Sequence, residues 1–150
     1  ESGRKINEKM PDHTVELTSN AFKECNKSIQ DSEILILGVS YKPNVKDIQL
    51  SPAEYIIEKF QNLGANVHIY DPNFSSTEVF GIKVEDNLDD VLSKMDAAVI
   101  VTGHDDFKKI EISSFAKMKT PILIDTRGII EPQSVKQYNI IFRGLGRGDF

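Results

Sequence analysis

Short, uninterrupted aliphatic runs set between longer amphipathic stretches constrain this chain more than any other feature. Ile34-Leu35-Ile36-Leu37 stops at Gly38, residues 97–101 stop at Thr102-Gly103, and Pro121-Ile122-Leu123-Ile124 stops at Asp125. A strand that alternates apolar and polar residues keeps one wet face, whereas a continuous run must be covered on both. Between the runs, apolar residues recur at helical spacing. Ala53, Ile56, Ile57, Phe60 and Leu63 make one such face, opened by Ser51-Pro52 as N-cap and first helical residue and closed by Gly64. Residues 66–70, ended by Asp71-Pro72, read as a second strand, 82–84 as a short third and 139–142 as the last. Residues 88–95, 105–118 and 132–138 read as helices. This alternation predicts an α/β, Rossmann-like three-layer domain with a mostly parallel sheet and helices on both faces.

Ahead of this pattern, Pro11-Asp12 reads as a helix start, with Val15, Thr18, Phe22 and Cys25 forming one stripe. The 150 residues suffice for one compact domain. With 18 basic and 23 acidic side chains the net charge is −5, and the two signs are interspersed. Nucleic acid or an anionic membrane would require a clustered basic face, so neither is an expected partner. The apolar runs are too short to span a bilayer, and residues 1–11 are too polar for a secretory signal. A single cysteine, Cys25, leaves no internal disulfide framework and fits a reducing cytoplasm. Because the chain begins at Glu1 and not at methionine, a fragment of a longer protein is expected.

In an open parallel sheet ligands collect beyond the carboxyl ends of the strands, so the residues after each run carry the functional information. The first run is followed by Gly38-Val39-Ser40-Tyr41-Lys42-Pro43-Asn44-Val45-Lys46-Asp47. This is neither a GxGxxG fingerprint nor a Walker P-loop, which argues against a self-contained dinucleotide site. It does offer Tyr41 for stacking or hydrogen bonding and Lys42 as a point charge for phosphate or carboxylate. Composition alone favours a plain solvated lysine. Asp125-Thr126-Arg127-Gly128 puts an arginine at another strand end, suited to holding an anion or else forming a surface pair with Asp125. His104, also at a strand end, has the chemistry of a general base, although such a histidine is more often a loop or helix-cap residue. His13 and His68 have no partners nearby in sequence, and there is no Cys/His cluster at zinc spacing. Cys25, on the apolar face of the first helix, reads as a small buried hydrophobe and not a nucleophile.

Taken in order, Gly38-Val39-Ser40-Tyr41-Lys42-Pro43-Asn44, Asp47, Ser51-Pro52-Ala53, Tyr70-Asp71-Pro72, Val101-Thr102, His104, Phe107 and Ile124-Asp125-Thr126-Arg127-Gly128 resemble the UDP-glucose/GDP-mannose dehydrogenase family. More narrowly, they resemble its carboxy-terminal UDP-binding domain. The resemblance implies residues 1–30 as the end of a central dimerisation and linker helix region, and residues 31–150 as the UDP-sugar-binding domain. Family members oxidise the C6 hydroxyl of a nucleotide-linked sugar to a carboxylate with two NAD, through an aldehyde and cysteine-linked intermediates. The implied partners are a UDP-sugar substrate, the enzyme's own amino-terminal NAD domain and a second copy in a homodimer or larger assembly. NAD would be bound mainly by that amino-terminal domain, and this chain alone would be inactive.

Residue by residue, the resemblance makes Tyr41 and Lys42 the substrate's aromatic–lysine pair, places Asn44 and Asp47 in the same loop, and makes Arg127 the substrate arginine. One position departs. The family usually reads Asp-x-Arg-Glu-Ser where this chain has Asp47-Ile48-Gln49-Leu50-Ser51, so Gln49 stands where an arginine reaches the cofactor and cannot supply its charge. The tail Phe142-Arg143-Gly144-Leu145-Gly146-Arg147-Gly148 looks more like the branch acting on UDP-N-acetylhexosamines. Three rival readings stand beside this one: a free-standing nucleotide-binding module, a structural lid without catalysis, and a phospho-receiver domain. The last needs an acidic pair after the first strand, where Gly38-Val39-Ser40 stands instead.

Overall fold

The structure, a computed structural model, describes residues 2–40, 43–44 and 51–144. Helix α1 (Ser2–Glu24) leads into strand β1 (Glu33–Leu37), then helix α2 (Pro52–Asn62) and strand β2 (Asn66–Tyr70). A 3-10 turn at Pro72–Phe74 and the short strands β3 (Glu78–Val79) and β4 (Ile82–Lys83) precede helix α3 (Leu88–Leu92) and strand β5 (Ala97–Ile100). Short helices α4 (Asp105–Lys108) and α5 (Ile112–Phe115), strand β6 (Ile122–Asp125), helix α6 (Pro132–Val135) and strand β7 (Ile141–Gly144) complete the order.

Among the described residues, five strands form one parallel sheet in the order β2-β1-β5-β6-β7. The alternation of strand side chains divides the core into two. Ile34 and Ile36, Val99, Ile122 and Ile124 face Phe22 of α1 and Ile56, Ile57 and Phe60 of α2. Leu35 and Leu37, Ala98, Ile100 and Leu123 face the other way, onto Val91, Leu92, Phe107, Phe115 and Val135 of α3 to α6. All four residues from Ile34 to Leu37 are fully buried, as a run covered on both faces must be. The predicted α/β three-layer architecture is the one observed.

Several boundaries differ from the sequence expectation. Pro11 does not open the first helix but lies inside it, nine residues after its start, where its ring removes one intrahelical N–H. Of the expected stripe, Thr18 and Phe22 are buried and Val15 and Cys25 pack partly buried on the core, Cys25 just past the helix end; Pro11, Thr14 and Ala21 are buried beside them. The stretch 105–118 is two helices and not one, because Ile110 and Ile112 both pack on the same core. Two residues apart on a continuous helix, they would point to nearly opposite sides. Residues 82–84 contribute an outlying antiparallel hairpin, β3-β4, turned at Phe80 (φ 53°) and Gly81 (φ 80°), the doubly left-handed conformation of a tight hairpin. The last strand sits two residues later than expected, in register with β6 from Ile122↔Ile141 to Asp125↔Gly144. Other signals hold. Ser51 Oγ accepts the Ala53 N–H at 3.1 Å as N-cap of α2, and Gly64 follows the helix with φ 91°.

The strand order positions the site. The chain moves outward from β1 to β2 and, from β5, the opposite way to β7. Connections on either side of the β1–β5 boundary therefore diverge, which makes it the switch point where open α/β sheets take their ligands.

Candidate functional site

At this switch point β1 is followed by Gly38, whose φ is 96°. A Cβ there would stand 2.5 Å from the Thr102 Cβ, so only glycine allows the two strand ends to approach this closely. The chain then folds over the end of β5, and the Thr102 hydroxyl donates to the Ser40 carbonyl at 2.6 Å. Beneath it lies Asp71, fully buried at the end of β2. Its Oδ2 accepts the Val39 N–H at 2.9 Å and its Oδ1 accepts the Asn73 N–H at 2.9 Å. A buried carboxylate is tolerated where donors surround it, and Asp71 gains a third from His104.

His104 is 1% exposed. Its Nδ1 lies 2.7 Å from the Asn44 main-chain nitrogen. An amide N–H only donates, so Nδ1 accepts and carries no proton. The ring proton therefore sits on Nε2, which lies 3.0 Å from Asp71 Oδ2 and 3.5 Å from the Ser40 hydroxyl. Asn44, in the left-handed region at φ 63°, completes the knot by accepting the Asp105 N–H on Oδ1 at 3.0 Å. His104 is the N-cap residue of α4, yet its side chain makes no capping bond. With Nδ1 engaged and the ring buried against Phe107 at 5.2 Å between centroids, the geometry is that of an anchor, not of a general base.

One strand further, Asp125 is also fully buried. Its Oδ1 accepts the N–H groups of Arg127 and Gly128, each at 2.9 Å, and its Oδ2 accepts the Ile130 N–H at 2.8 Å. A surface Asp–Arg pair is therefore not its role; Asp125 shapes the turn that carries Arg127. The arginine is exposed, and its Nε donates to the Val101 carbonyl at 2.8 Å, laying the side chain across the end of β5. A Cβ on Gly103 would come within 3.5 Å of the Arg127 Cβ, so the two loops are in contact. Asn44 and Arg127 thus stand on loops that each touch the segment at the end of β5, from the strands on either side of it.

Tyr41, Lys42, Asp47 and Gln49 lie outside the described residues. Among the described residues of the β1 loop, Gly38 is closed off by Thr102. Cys25 is half-buried against the core, and its thiol is pushed up first by desolvation and then by Glu24, which favours the protonated form. No group of three or more His, Cys, Asp or Glu among the described residues is placed to hold a metal ion, and no helix of theirs is long and apolar enough to cross a membrane. Sequence reasoning missed the anchoring role of Asp71. Its signal was an aspartate directly after a strand and before a proline.

The opposite edge of the sheet carries a second polar group. His68 Nε2 lies 2.7 Å from Glu33 and its Nδ1 3.4 Å from Glu85, beside a cleft of about 370 Å³. Nearby, burial pushes the Asp96 carboxyl up. The Glu33 N–H, the Lys27 ammonium and the Thr120 hydroxyl outweigh it and hold the group below the usual carboxylate range.

Residues 35–132 match the model for the UDP-glucose/GDP-mannose dehydrogenase family, UDP binding domain. The chain is 37% identical over 147 residues to UDP-N-acetyl-D-mannosamine dehydrogenase of Pyrococcus horikoshii, covering 97% of the chain and 33% of that protein. It is 30% identical over 125 residues to UDP-glucose 6-dehydrogenase of Rhizobium meliloti, covering 81% of the chain and 29% of the relative. Among solved structures, a UDP-D-ManNAc dehydrogenase from Pyrococcus horikoshii superposes with a TM-score of 0.81 at 35% identity, covering 97% of this chain and 33% of that one. An NDP-N-acetyl-D-galactosaminuronic acid dehydrogenase from Methanosarcina mazei gives 0.83 at 26% identity, with 91% and 29% covered. The chain thus spans about a third of the length of the curated relatives it matches. Fold and sequence agree, and the chain belongs to the UDP-glucose/GDP-mannose dehydrogenase family as a UDP binding domain.

Proposed function

We propose that this chain holds the nucleotide sugar in a cytoplasmic UDP-sugar 6-dehydrogenase, an oxidoreductase of polysaccharide biosynthesis that converts a C6 hydroxyl to a carboxylate. That change removes four electrons, as two hydrides to two NAD, and takes one oxygen from water. The chain's share is orientation: fixing the sugar's reacting carbon in a productive position lowers the barrier without the chain touching the chemistry. Arg127 and Lys42 are the anion-holding groups, Tyr41 the aromatic one, with Asn44 and Asp47 in the same loop; Gln49 stands on the cofactor side. NAD and the catalytic cysteine belong to the portion of the enzyme beyond this chain, residues 1–30 belong to the central helix region, and a second copy pairs with it in the intact enzyme. The observation that carries the reading is that the Asn44 and Arg127 loops both contact the end of β5, beside the β1–β5 switch point of a family UDP binding domain. The substrate is a UDP-N-acetylhexosamine. Supporting this, the N-acetylmannosamine dehydrogenase relative aligns over 97% of the chain, while the UDP-glucose relative aligns over 81%.

A backbone-amide NMR titration with UDP, a UDP-N-acetylhexosamine and NAD in parallel tests the reading. Shifts from the uridine ligands at Asn44, at residues 102–105 and at Arg127, with none from NAD, are the expected result. Arg127→Ala is expected to weaken UDP binding by about 1–3 kcal/mol, the scale of a lost charge-assisted contact. Silence toward both uridine ligands at millimolar concentration, or an Arg127→Ala variant that binds like the parent, would remove the proposal's basis.

A further inference from the structure

The geometry points to His104, held by Asp71 as its Nε2–H tautomer, as the positioning residue that fixes the Asn44 end of the β1 loop for ligand. The inference rests on the nucleotide-sugar reading for what is bound, but its structural half stands independently. Three observations carry it. First, the ring is 1% exposed and its two nitrogens serve opposite purposes: Nδ1 accepts from the Asn44 N–H at 2.7 Å and Nε2 faces Asp71 Oδ2 at 3.0 Å. Second, Asp71 is an acceptor on every side, already taking the Val39 and Asn73 N–H groups. It therefore selects the tautomer whose proton is on Nε2, and by doing so leaves Nδ1 as an acceptor. Third, Asn44 sits at φ 63°, a conformation that costs a non-glycine residue energy and needs holding. Its Oδ1 bond to the Asp105 N–H supplies a second restraint from the same segment.

The consequence is a relay of fixed direction. Asp71 sets the ring proton, the ring sets Nδ1, and Nδ1 sets the main chain two residues beyond Lys42. His104 touches neither ligand nor reacting atoms; it acts through Asn44. Its neighbour Ser40 is buried on the same nitrogen at 3.5 Å, in an arrangement that has the residue types of a hydrolytic triad. The serine and the carboxylate, however, both face Nε2. The ring cannot take a proton from one while donating to the other on that same nitrogen, so the arrangement orients and does not activate.

Two substitutions separate the two halves of the ring. His104→Asn places an oxygen near the Nδ1 position and keeps an acceptor for the Asn44 N–H. His104→Gln reaches the Nε2 position and keeps a donor for Asp71 but removes that acceptor. Amide hydrogen exchange at Asn44 and a UDP titration are read on the parent chain and both variants, with the parent's ring nitrogen NMR signals reporting the tautomer. The expected result is an Nε2–H ring in the parent and Asn44 exchange within about threefold of the parent in His104→Asn. In His104→Gln, exchange is faster and UDP binding weaker by about tenfold each, the scale of one lost buried hydrogen-bond partner. An Nδ1–H ring, a His104→Gln chain that matches the parent, or equal losses in both variants would overturn the assignment, the last by showing that ring volume alone matters. If the His104→Gln chain does not fold, the parent's tautomer and the exchange in His104→Asn decide. If the parent chain ignores UDP while Asn44 exchange still follows the acceptor, the nucleotide reading fails and the anchor remains.

Discussion

The two ends of the same parallel sheet hold their histidines in different ways. At the carboxyl edge, Asp71 and Asp125 are fully buried and turn their oxygens toward main-chain N–H groups, with His104 sealed between Asp71 and Asn44. At the amino edge, His68 stands 29% exposed between Glu33 and Glu85, themselves 28% and 39% exposed. The partners differ in kind. His104 lies between a main-chain N–H on one ring nitrogen and a carboxylate on the other, which specifies its tautomer, whereas His68 lies between two carboxylates. Buried carboxylates on main-chain donors fix loop shape, because breaking such a bond leaves a charge without water. Half-exposed side-chain pairs are replaced by solvent at little cost. The edge with shaped loops is the one assigned to ligand.

The largest test of this contrast is Asp125→Ala. Removing one carboxylate takes its buried acceptor oxygens from the N–H groups of Arg127, Gly128 and Ile130, so a loss of about 3 kcal/mol or more in urea unfolding is expected. A loss under 1 kcal/mol would mean that the turn holds its shape without Asp125. An intermediate effect is expected for Asp96→Asn, about 1–3 kcal/mol at neutral pH, since Asp96 is buried and accepts from Glu33, Lys27 and Thr120. Here the sign of the pH dependence follows from its lowered folded-state value. The contribution is complete above the unfolded-state value of about 3.9 and is lost as pH falls through the lower folded value. The stability gap between parent and variant should therefore narrow below about pH 4, and a constant gap would count against the ionised carboxylate as its source. Smallest of the three is His68→Ala, expected to cost under about 1 kcal/mol, because its partners are partly solvated. A cost as large as that of Asp125→Ala would erase the distinction between the edges.

Some of this was legible from residues alone. A run such as Ile34 to Leu37 admits only a strand buried on both faces, and Ser51-Pro52 with Gly64 bounds a helix whose apolar face repeats at 3.6-residue spacing. Arg127 after an aliphatic run likewise declared itself a strand-end cation. Less of the site could be read. His104 looked like either a base or a cap, since its role depends on Asn44 and Asp71, which are 60 and 33 residues away. Asp125 looked like a surface partner of Arg127 because sequence proximity says nothing of burial.

What the sequence determined by itself was local: which segments extend, which coil, and which polar residues end each strand, because period and capping act within a few residues. The tertiary structure decided the rest. Pairing β1 with both β2 and β5 brought Gly38, Asp71 and Thr102 together, and that contact decided which nitrogen of His104 carries its proton. Packing split residues 105–118 into two helices so that Ile110 and Ile112 both reach the core, and register against β6 moved the last strand to Ile141–Gly144. Each of these outcomes depends on a partner distant in sequence, and a hydrogen bond or a packing contact has no direction until that partner is in place.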